Sequence, residues 1–600
     1  MDDKLHAMRH SAAHVLAAAL QKLHPEVKFG VGPVIEHGFY YDVLLNEPLS
    51  DKDLKKIEKE MRKIIAANLP IEREEWPIQE AKSYFEKNNQ PYKVELLSDL
   101  QQRGTTSIKN INVAELGAEA TDDEITSVSI YKIGNFVDLC RGPHLEATSE
   151  VGAFKLDRLA GAYWRGDESR DQLQRIYGLA FATSDELESH EEMVRLAKER
   201  DHRKLGKELD LFTFSELVGP GLPLWTPRGT IVRSELDRFV QELRGKYGFE
   251  EVTIPHITKK ELYMASGHWD KFEDELFKIV SRDGHEFALK PMNCPHHTQI
   301  FDARPRSYRE MPVRYRETTM VYRDEQSGEL HGLSRVRSIT QDDAHTFCRP
   351  SQVETEVMNV WDVIERYWAA FGIELRVRLS THDPKAMQGY LGTEEQWENA
   401  VAQLQSVIEK KGVEFVLGEG EAAFYGPKID FIGSDALGRE FQASTVQLDF
   451  NMPERFNLAC IDEQGDRERV VMIHCAIAGS VERSFVLLLE HYGGNFPVWL
   501  APEQAVVLPI SEKFTTYAQK VVDGLSAKGV RVRLNAENES LGKRIRASEM
   551  SKIPYILIVG EREEADAQVA VRRYGEGDQG VMNQDEFTQK ITAEISSRRG

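Results

Sequence analysis

Apolar positions at Leu5, Met8, Ala12, Val15, Leu16 and Leu20 recur every three or four residues. That period predicts a helix over residues 4–23, stopped ahead of Pro25. FGVGPVIEHGFYYDV then alternates in the manner of a strand. Residues 51–69 predict a charged amphipathic helix ended by Pro70, and a mixed α+β region runs on to residue 182. TSDELESHEEMVRLAKERDHRKLGKEL predicts one long charged helix, capped by Thr183 or Ser184, with Asp185 and Glu186 in its first turn. Few of its positions are apolar, so it reads as a connector. From residue 205 to 499 the strand-like runs PVRYRETTMVYRDE, SRVRSITQDDAHTF, ELRVRLS, KIDFIG, REFQASTVQLDF and RVVMIHCAI follow one another, which favours an antiparallel sheet. After APEQ the pattern becomes strand–helix–strand–helix–strand (AVVLPI, VRVRL, YILIVG), a small mixed or parallel sheet. The chain is therefore expected to be a multidomain α+β protein, divided into 1–182, a linker 183–204, 205–499 and 500–600.

Length supports that division, since 600 residues exceed a single core. No apolar run approaches the roughly 20 residues of a membrane span, and MDDKLHAMRHS lacks a secretory apolar region. Five cysteines make no disulfide framework and suit a reducing, cytoplasmic setting. The net charge of −22 argues against a nucleic-acid binder by bulk. Residues 531–552 nevertheless hold six Lys/Arg against three Glu, and a local basic face is what an RNA partner requires. Neither a P-loop nor a GxGxxG fingerprint occurs.

Four constellations could carry chemistry. Arg323 and Glu325 end one strand, and Arg335 and Arg337 begin the next, so a hairpin could form a two-arginine clamp for phosphate or carboxylate. The bland alternative is a salt-bridged hairpin. Gly479–Ser480 precedes an apolar helix with Arg483 in its first turn, either an anion site or a capped core helix. Cys294, His345 and His474 each border a strand-like run; one thiolate and two imidazoles are a three-ligand zinc set, or three unrelated residues. HSAAH (His10, His14) and DLCRGPH (Cys140, His144) both space their residues four apart, compatible with a metal site or a hydrolytic pocket. Position 11 is Ser, so HSAAH is no HExxH metalloprotease motif.

These residues lie within MRHSAAH, GPVIEHGFYYD, CRGPH, GAYWRGD, RDHRKLGKELDLF, GHWD, KPMNCP, LHGLSRVRSITQDDAHTF, FYGPKID, TVQLDF, IAGSVERS and FPVWLAP. In these stretches, spread over essentially its whole length, the chain resembles the threonyl-tRNA synthetase family of class II aminoacyl-tRNA synthetases. The resemblance implies an α+β editing domain (1–182), a class II antiparallel-sheet catalytic domain (205–499) and an α/β anticodon-binding domain (500–600). The implied reaction joins threonine to ATP as threonyl-adenylate, transfers it to tRNA(Thr), and hydrolyses mischarged Ser-tRNA(Thr). YGFEEVTIPHI, with Pro255, looks like the motif 1 of a homodimer interface. Arg323 would hold the α-phosphate, Glu325 the adenine edge, Arg335 the outer phosphates, and Arg483 adenine and the γ-phosphate. Lys428 would sit near the reacting phosphate, with Gln442 and Thr445 lining the ATP site and Mg²⁺ accompanying ATP. Cys294, His345 and His474 match the family's zinc ligands. Zinc would engage threonine's amino and hydroxyl groups, with Gln341, Asp343 and Tyr425 hydrogen-bonding them. Valine lacks the hydroxyl, a loss that can reject an analogue by about 10⁴-fold, whereas serine lacks only a methyl. A second, editing site is therefore implied: His10, His14, Cys140 and His144, with Asp138 and Tyr41 nearby. These are expected to orient water and the terminal ribose rather than a metal. Asn538 and Glu563 would read the anticodon.

The match departs from the family at three points. The sequence begins at the editing-type region, without the small ubiquitin-like domain of many members. Ile339 stands where an aromatic residue usually lines adenine, and His296 stands where glycine usually follows MNCP; its ring is expected to point away from the metal. A deacylase with a dead synthetase body would not need Arg323, Arg335, Arg483 and the zinc triad. Neither would a pure mRNA-binding protein need the arginines, and a proline or serine enzyme would lack both the triad and the HSAAH/CRGPH pair.

Overall fold

A computed structural model describes residues 3–103, 126–271, 273–436 and 438–599. The chain separates into two units, Met1–Arg195 and Leu196–Gly600.

In the first unit the helix Asp3–Leu23 buries Ala12, Val15, Leu16 and Leu20, and with them His10 and His14. It packs on an antiparallel sheet of order Lys28–Phe29, Gly38–Leu44, Gln172–Phe181, Ala153–Tyr163, with Val34–Ile35 pairing the second strand. A three-stranded sheet, Ile71–Pro77, Ser127–Ile133 and Phe136–Leu139, delivers Asp138 and Cys140 to the same helix. The charged helix Asp51–Ala66 buries Leu54, Ile57, Met61 and Ile64, the spacing of one helical face.

The long charged helix expected over 183–209 is instead two helices, Ser184–Glu199 and His202–Glu208. Thr183 caps the first: its hydroxyl accepts the Glu186 N–H (3.2 Å), and the Glu186 carboxylate accepts the Thr183 N–H (3.3 Å). Of that helix only His190 is buried. Asp201 causes the break. Its backbone is extended (φ −51°, ψ 123°) and its carboxylate accepts the Arg203 N–H, so it starts a new helix rather than continuing the old one. Leu205 of the second helix joins the large core of the second unit.

That core lies against an eight-stranded sheet of order Glu250–Glu251, Val313–Tyr322, Ser338–Cys348, Val471–Ala476, Glu440–Asp449, Lys428–Ser434, Leu375–Thr381, Phe415–Glu419. Its five inner pairings are antiparallel and only the two edge pairings are parallel. The helix Val353–Ala369 covers it with Val357, Val360, Trp361, Ile364, Tyr367 and Trp368, all buried. Each such side chain contributes about 1.5–3 kcal/mol of apolar burial. The register places His345 opposite His474, and His474 opposite Gln447. Strand alternation puts Gln341, Asp343 and His345 on one face.

The C-terminal sheet has the order Val532–Leu534, Ala505–Pro509, Tyr555–Val559, Gln568–Arg573, Gly577–Asn583. The first two pairings are parallel and the last two antiparallel, so the sheet is mixed. Its last two strands add to the βαβαβ pattern read from the sequence. Among the described residues no helix is long and apolar enough to cross a membrane.

Candidate functional site

Two cavities open on the large sheet. The larger, about 560 Å³, is walled by Arg323, Ile339, Gln341, Gln442, Thr445 and Arg483, among others. The smaller, about 260 Å³, is walled by Cys294, Asp343, His345, Tyr425, Gln447 and His474. Arg323, Gln341, Thr445 and Ala476 border both, so the two are neighbours sharing a wall.

The larger cavity is cationic at one end. Arg483 sits in the first turn of the helix Val481–His491, which Ser480 caps, and its Nε donates to the Ser334 carbonyl (3.1 Å). Burial, then the nearby charge of Arg323, lowers its pKa from the ordinary guanidinium value. A guanidinium still stays charged at neutral pH, so a helix N-terminus and converging arginines form an anion-attracting pocket. Arg335 behaves differently. It pairs with Glu325 (2.7 Å) and Glu329 (3.0 Å), and it is not among the residues walling the cavity. The salt-bridged hairpin is thus the arrangement of Arg335 and Glu325, while Arg323 faces the cavity.

Lys428, Gln442 and Thr445 converge on a residue the sequence did not single out. The buried Asp430 accepts Lys428 Nζ (3.0 Å) on Oδ2, and Gln442 Nε2 (2.9 Å) and Thr445 Oγ1 (3.1 Å) on Oδ1.

In the smaller cavity Cys294, His345 and His474 each bring a ligand atom within 4.8 Å of the others, and all three are buried. His474 Nε2 faces the Asp449 carboxylate (2.8 Å), which leaves Nδ1 with a lone pair. His345 Nδ1 faces His297 Nδ1 (2.7 Å), and its Nε2 lies 3.1 Å from His474 Nδ1. With His345 protonated on Nδ1, two imidazole lone pairs face each other there. Two nitrogens about 2.0–2.1 Å from one tetrahedral zinc stand about 3.3 Å apart, so this spacing fits a shared cation. Asp343 accepts Asn293 Nδ2 (3.0 Å), and the Tyr425 ring stacks on His474 with centroids 5.0 Å apart. Tyr425 also donates its hydroxyl to Gln447. His296 is not one of the gathered ligands; its ring lies 6.2 Å from that of Tyr263, edge on.

The first unit gathers the other predicted set. His10 Nε2 and His144 Nε2 each lie 3.2 Å from Cys140 Sγ, and the His14 and His144 ring centroids are 4.3 Å apart. Ser11, next to His10 in the chain, holds the cluster: its hydroxyl meets His144 Nδ1 (3.2 Å) and accepts the Leu145 N–H (2.9 Å). Burial pulls His10 down to about 4 and holds His14 and His144 well below their usual value, so all three rings are neutral at pH 7. Burial pushes the Cys140 thiol up to about 12, which leaves it protonated and a poor nucleophile. Asp138 lies 3.6 Å from His14 and accepts the Tyr41 hydroxyl. Lys93, absent from the sequence prediction, lies 2.5 Å from Asp138 and is buried. Its signal was a lysine on the apolar face that carries Leu96, Leu97 and Leu100. The ligand atoms of His10, His14, Cys140 and His144 also lie within 4.8 Å of one another, so the geometry alone admits a metal.

Asn538 is exposed in the loop following Val532–Leu534. Glu563 is engaged locally, accepting the Gly560 N–H (2.9 Å) at the start of the helix Glu561–Asp566.

Comparison with known proteins places the chain in a family. Residues 277–492 match the tRNA synthetase class II core domain (G, H, P, S and T), 504–594 an anticodon binding domain, and 128–177 the threonyl and alanyl tRNA synthetase second additional domain. A threonine–tRNA ligase of Porphyromonas gingivalis is 46% identical over 595 residues, 98% of this chain and 88% of that protein. One of Gloeobacter violaceus is 46% identical over 607 residues, 99% and 93% of the two. The RNA binding domain of threonyl-tRNA synthetase from Cryptosporidium parvum Iowa II superposes with a TM-score of 0.63 at 39% identity, covering 66% of this chain and 98% of that one. Near-complete coverage at this identity, with a class II core and the additional domain in place, means that the chain belongs to the threonine–tRNA ligase family of class II aminoacyl-tRNA synthetases.

Proposed function

We propose that the two neighbouring cavities are the ATP and threonine halves of one activation site, and that the His10 cluster is the editing site. The shared wall of Arg323, Gln341 and Thr445 carries this reading, because it sets a cationic pocket beside the Cys/His set. ATP lies in the larger cavity with Mg²⁺, its adenine against Ile339 and its phosphates toward Arg323 and Arg483. Glu325 and Arg335 serve the adenine edge and outer phosphates once their mutual pair is exchanged for nucleotide contacts. Threonine lies in the smaller cavity. Its carboxylate attacks the α-phosphorus in line, pyrophosphate leaves, and Arg323 and Arg483 neutralise the charge that builds on the phosphoryl oxygens. Lys428, held by Asp430 together with Gln442 and Thr445, adds a positive charge nearby. Zinc on Cys294, His345 and His474, when bound, supplies a Lewis-acidic seat for the amino and hydroxyl groups of threonine. Gln341, Asp343 and Tyr425 orient those groups.

Serine passes this selection at a cost of only about 1–3 kcal/mol, so region 1–182 removes it from tRNA(Thr). Three neutral imidazoles beside Asp138, Lys93 and Tyr41 suit orientation of water and ribose rather than attack by Cys140. Region 500–600 reads the anticodon, with Asn538 and Glu563 as candidate contacts. The protein works as a cytoplasmic homodimer through the motif 1-like segment around Pro255.

ATP–pyrophosphate exchange with threonine, serine and valine tests the activation site, before and after chelation. Threonine supports exchange, serine supports it weakly, valine does not, and chelation abolishes it. Strong valine exchange with zinc bound, or threonine exchange after complete metal removal, overturns the reading. His14→Ala tests editing: Ser-tRNA(Thr) hydrolysis is lost while threonine exchange stays, and unchanged hydrolysis removes the His10 cluster from that role.

A further inference from the structure

The helix break at Asp201 aims His202 into the interior, where it is almost wholly buried. Its backbone N–H and its Nδ1 both reach one oxygen of Glu490, at 3.0 and 2.8 Å. Burial works against the charge of Glu490. The bonds from His202 and Arg439 outweigh it and hold the carboxyl below its usual range. An ionised carboxylate only accepts, so the His202 proton sits on Nδ1 and the Nε2 lone pair is free to accept. What it accepts is the backbone N–H of Leu333, at 3.3 Å.

Leu333 belongs to the loop between the strand Val313–Tyr322, which Arg323 directly follows, and the strand Ser338–Cys348, which carries Ile339. Beside it, Gly332 has φ +51°, and a Cβ there would come within 2.1 Å of His202 Nε2. The loop is thus pressed directly onto the ring, at a conformation that glycine accepts. Next along the loop, the Ser334 carbonyl receives Arg483 Nε. On the other side of the ring, Glu490 closes the same helix that begins beside Arg483, and its second oxygen takes Arg439. Ser334, Arg439, Arg483 and Glu490 all wall the larger cavity, whereas His202 does not.

Asp201, His202 and Glu490 also place ligand atoms within 4.8 Å of one another. A metal is not the better reading. Both ring nitrogens of His202 are engaged, and the Asp201 carboxylate is occupied by the Arg203 guanidinium and N–H.

We propose that His202 is a positioning residue for nucleotide binding, bridging the Gly332–Ser334 loop to the Val481–His491 helix and so fixing the wall that presents Arg483. It touches no substrate. The smaller cavity has no wall residue in this bridge, so the effect is on ATP and not on threonine. The inference rests on assignment of the larger cavity to ATP.

The test is pyrophosphate exchange by the full chain with His202→Asn. Asparagine can keep the donor toward Glu490 but cannot reach Leu333 as an acceptor. The expected result is a KM for ATP raised about tenfold, with the KM for threonine and the Tm within twofold and a few degrees of the parent. His202→Gln, whose amide oxygen reaches the Nε2 position, restores part of the loss. An ATP KM within twofold of the parent in His202→Asn overturns the proposal. So does a parallel rise in both KM values with a falling Tm, which marks a merely structural role. Arg483→Ala in the same assay tests the cavity assignment separately: if it leaves the ATP KM unchanged, that assignment fails whatever His202 does.

Discussion

Replacing Asp449 with asparagine should cost zinc affinity while leaving the fold in place. Asp449 is fully buried. Its Oδ1 accepts two backbone N–H groups, from Asn451 (2.8 Å) and Met452 (2.9 Å), and its Oδ2 faces His474 Nε2 (2.8 Å). The backbone donors dictate how asparagine must sit. Its single oxygen goes to them, and its NH₂ turns to His474. An N–H donor cannot accept the Nε2 proton, so the imidazole must adopt the other tautomer and carry its proton on Nδ1. Nδ1 is the atom facing His345 Nε2, at 3.1 Å, where the ion is proposed. The same carboxyl-to-amide change that keeps the shape of the site therefore caps a ligand atom. Loss of an outer partner of this kind typically lowers metal affinity by about 10–100-fold, or about 1.4–2.8 kcal/mol.

Equilibrium competition against a chromophoric chelator measures that affinity without reference to catalysis. Pyrophosphate exchange should return toward the parent rate when free zinc is raised by the same factor. Zinc affinity within twofold of the parent would refute the tautomer argument, and a lowered Tm with unchanged affinity would show Asp449 to be a fold residue alone.

Three further outcomes follow from the geometry. Burial lowers His10 to about 4 and holds His14 and His144 well below their usual value, so these bases stay neutral as pH falls from 8 to 6. The pH profile of Ser-tRNA(Thr) hydrolysis should accordingly show no inflection near 6.5, and one there would remove these rings from the reaction. Lys93→Met should strip Asp138 of its buried ammonium partner and slow Ser-tRNA(Thr) hydrolysis about 100-fold, with threonine-dependent exchange unaltered; a loss under threefold would make Lys93 incidental. Arg244→Met should leave Asp342 buried with only the Ile477 and Ala478 N–H groups, lowering the stability of the second unit by about 3–5 kcal/mol in urea titration, and a loss below about 1 kcal/mol would contradict a paired buried charge.

How far the site could be read from the sequence depended on how each residue finds its partner. His10, His14, Cys140 and His144 come in two short motifs, and each motif holds its pair at a fixed local spacing. Cys294, His345 and His474 are 51 and 129 residues apart, and only the sheet register sets His345 against His474. Resemblance to a family joined them before the fold was known; spacing could not. The connector helix failed for a local reason. In ERDHRK, Asp201 looks like one more surface charge, and whether it caps or continues a helix is decided by His202 and Leu205 being buried in the second unit. Asp430, Asp449, Lys93 and His202 escaped notice for a shared reason. Asp430, Asp449 and Lys93 are charged residues with apolar neighbours in the chain, and His202 sits in a run of charges; both patterns usually mean the solvated face. Here that face is turned toward a cavity or another polar group, and burial there is stabilised by hydrogen bonds rather than apolar contact. Pattern alone cannot separate water from a cavity as the environment of a polar face. The candidate site residues were therefore legible through motifs and family resemblance, while the residues packed behind them became visible only when the sheet register and the packing of His202 assigned each polar face its partner.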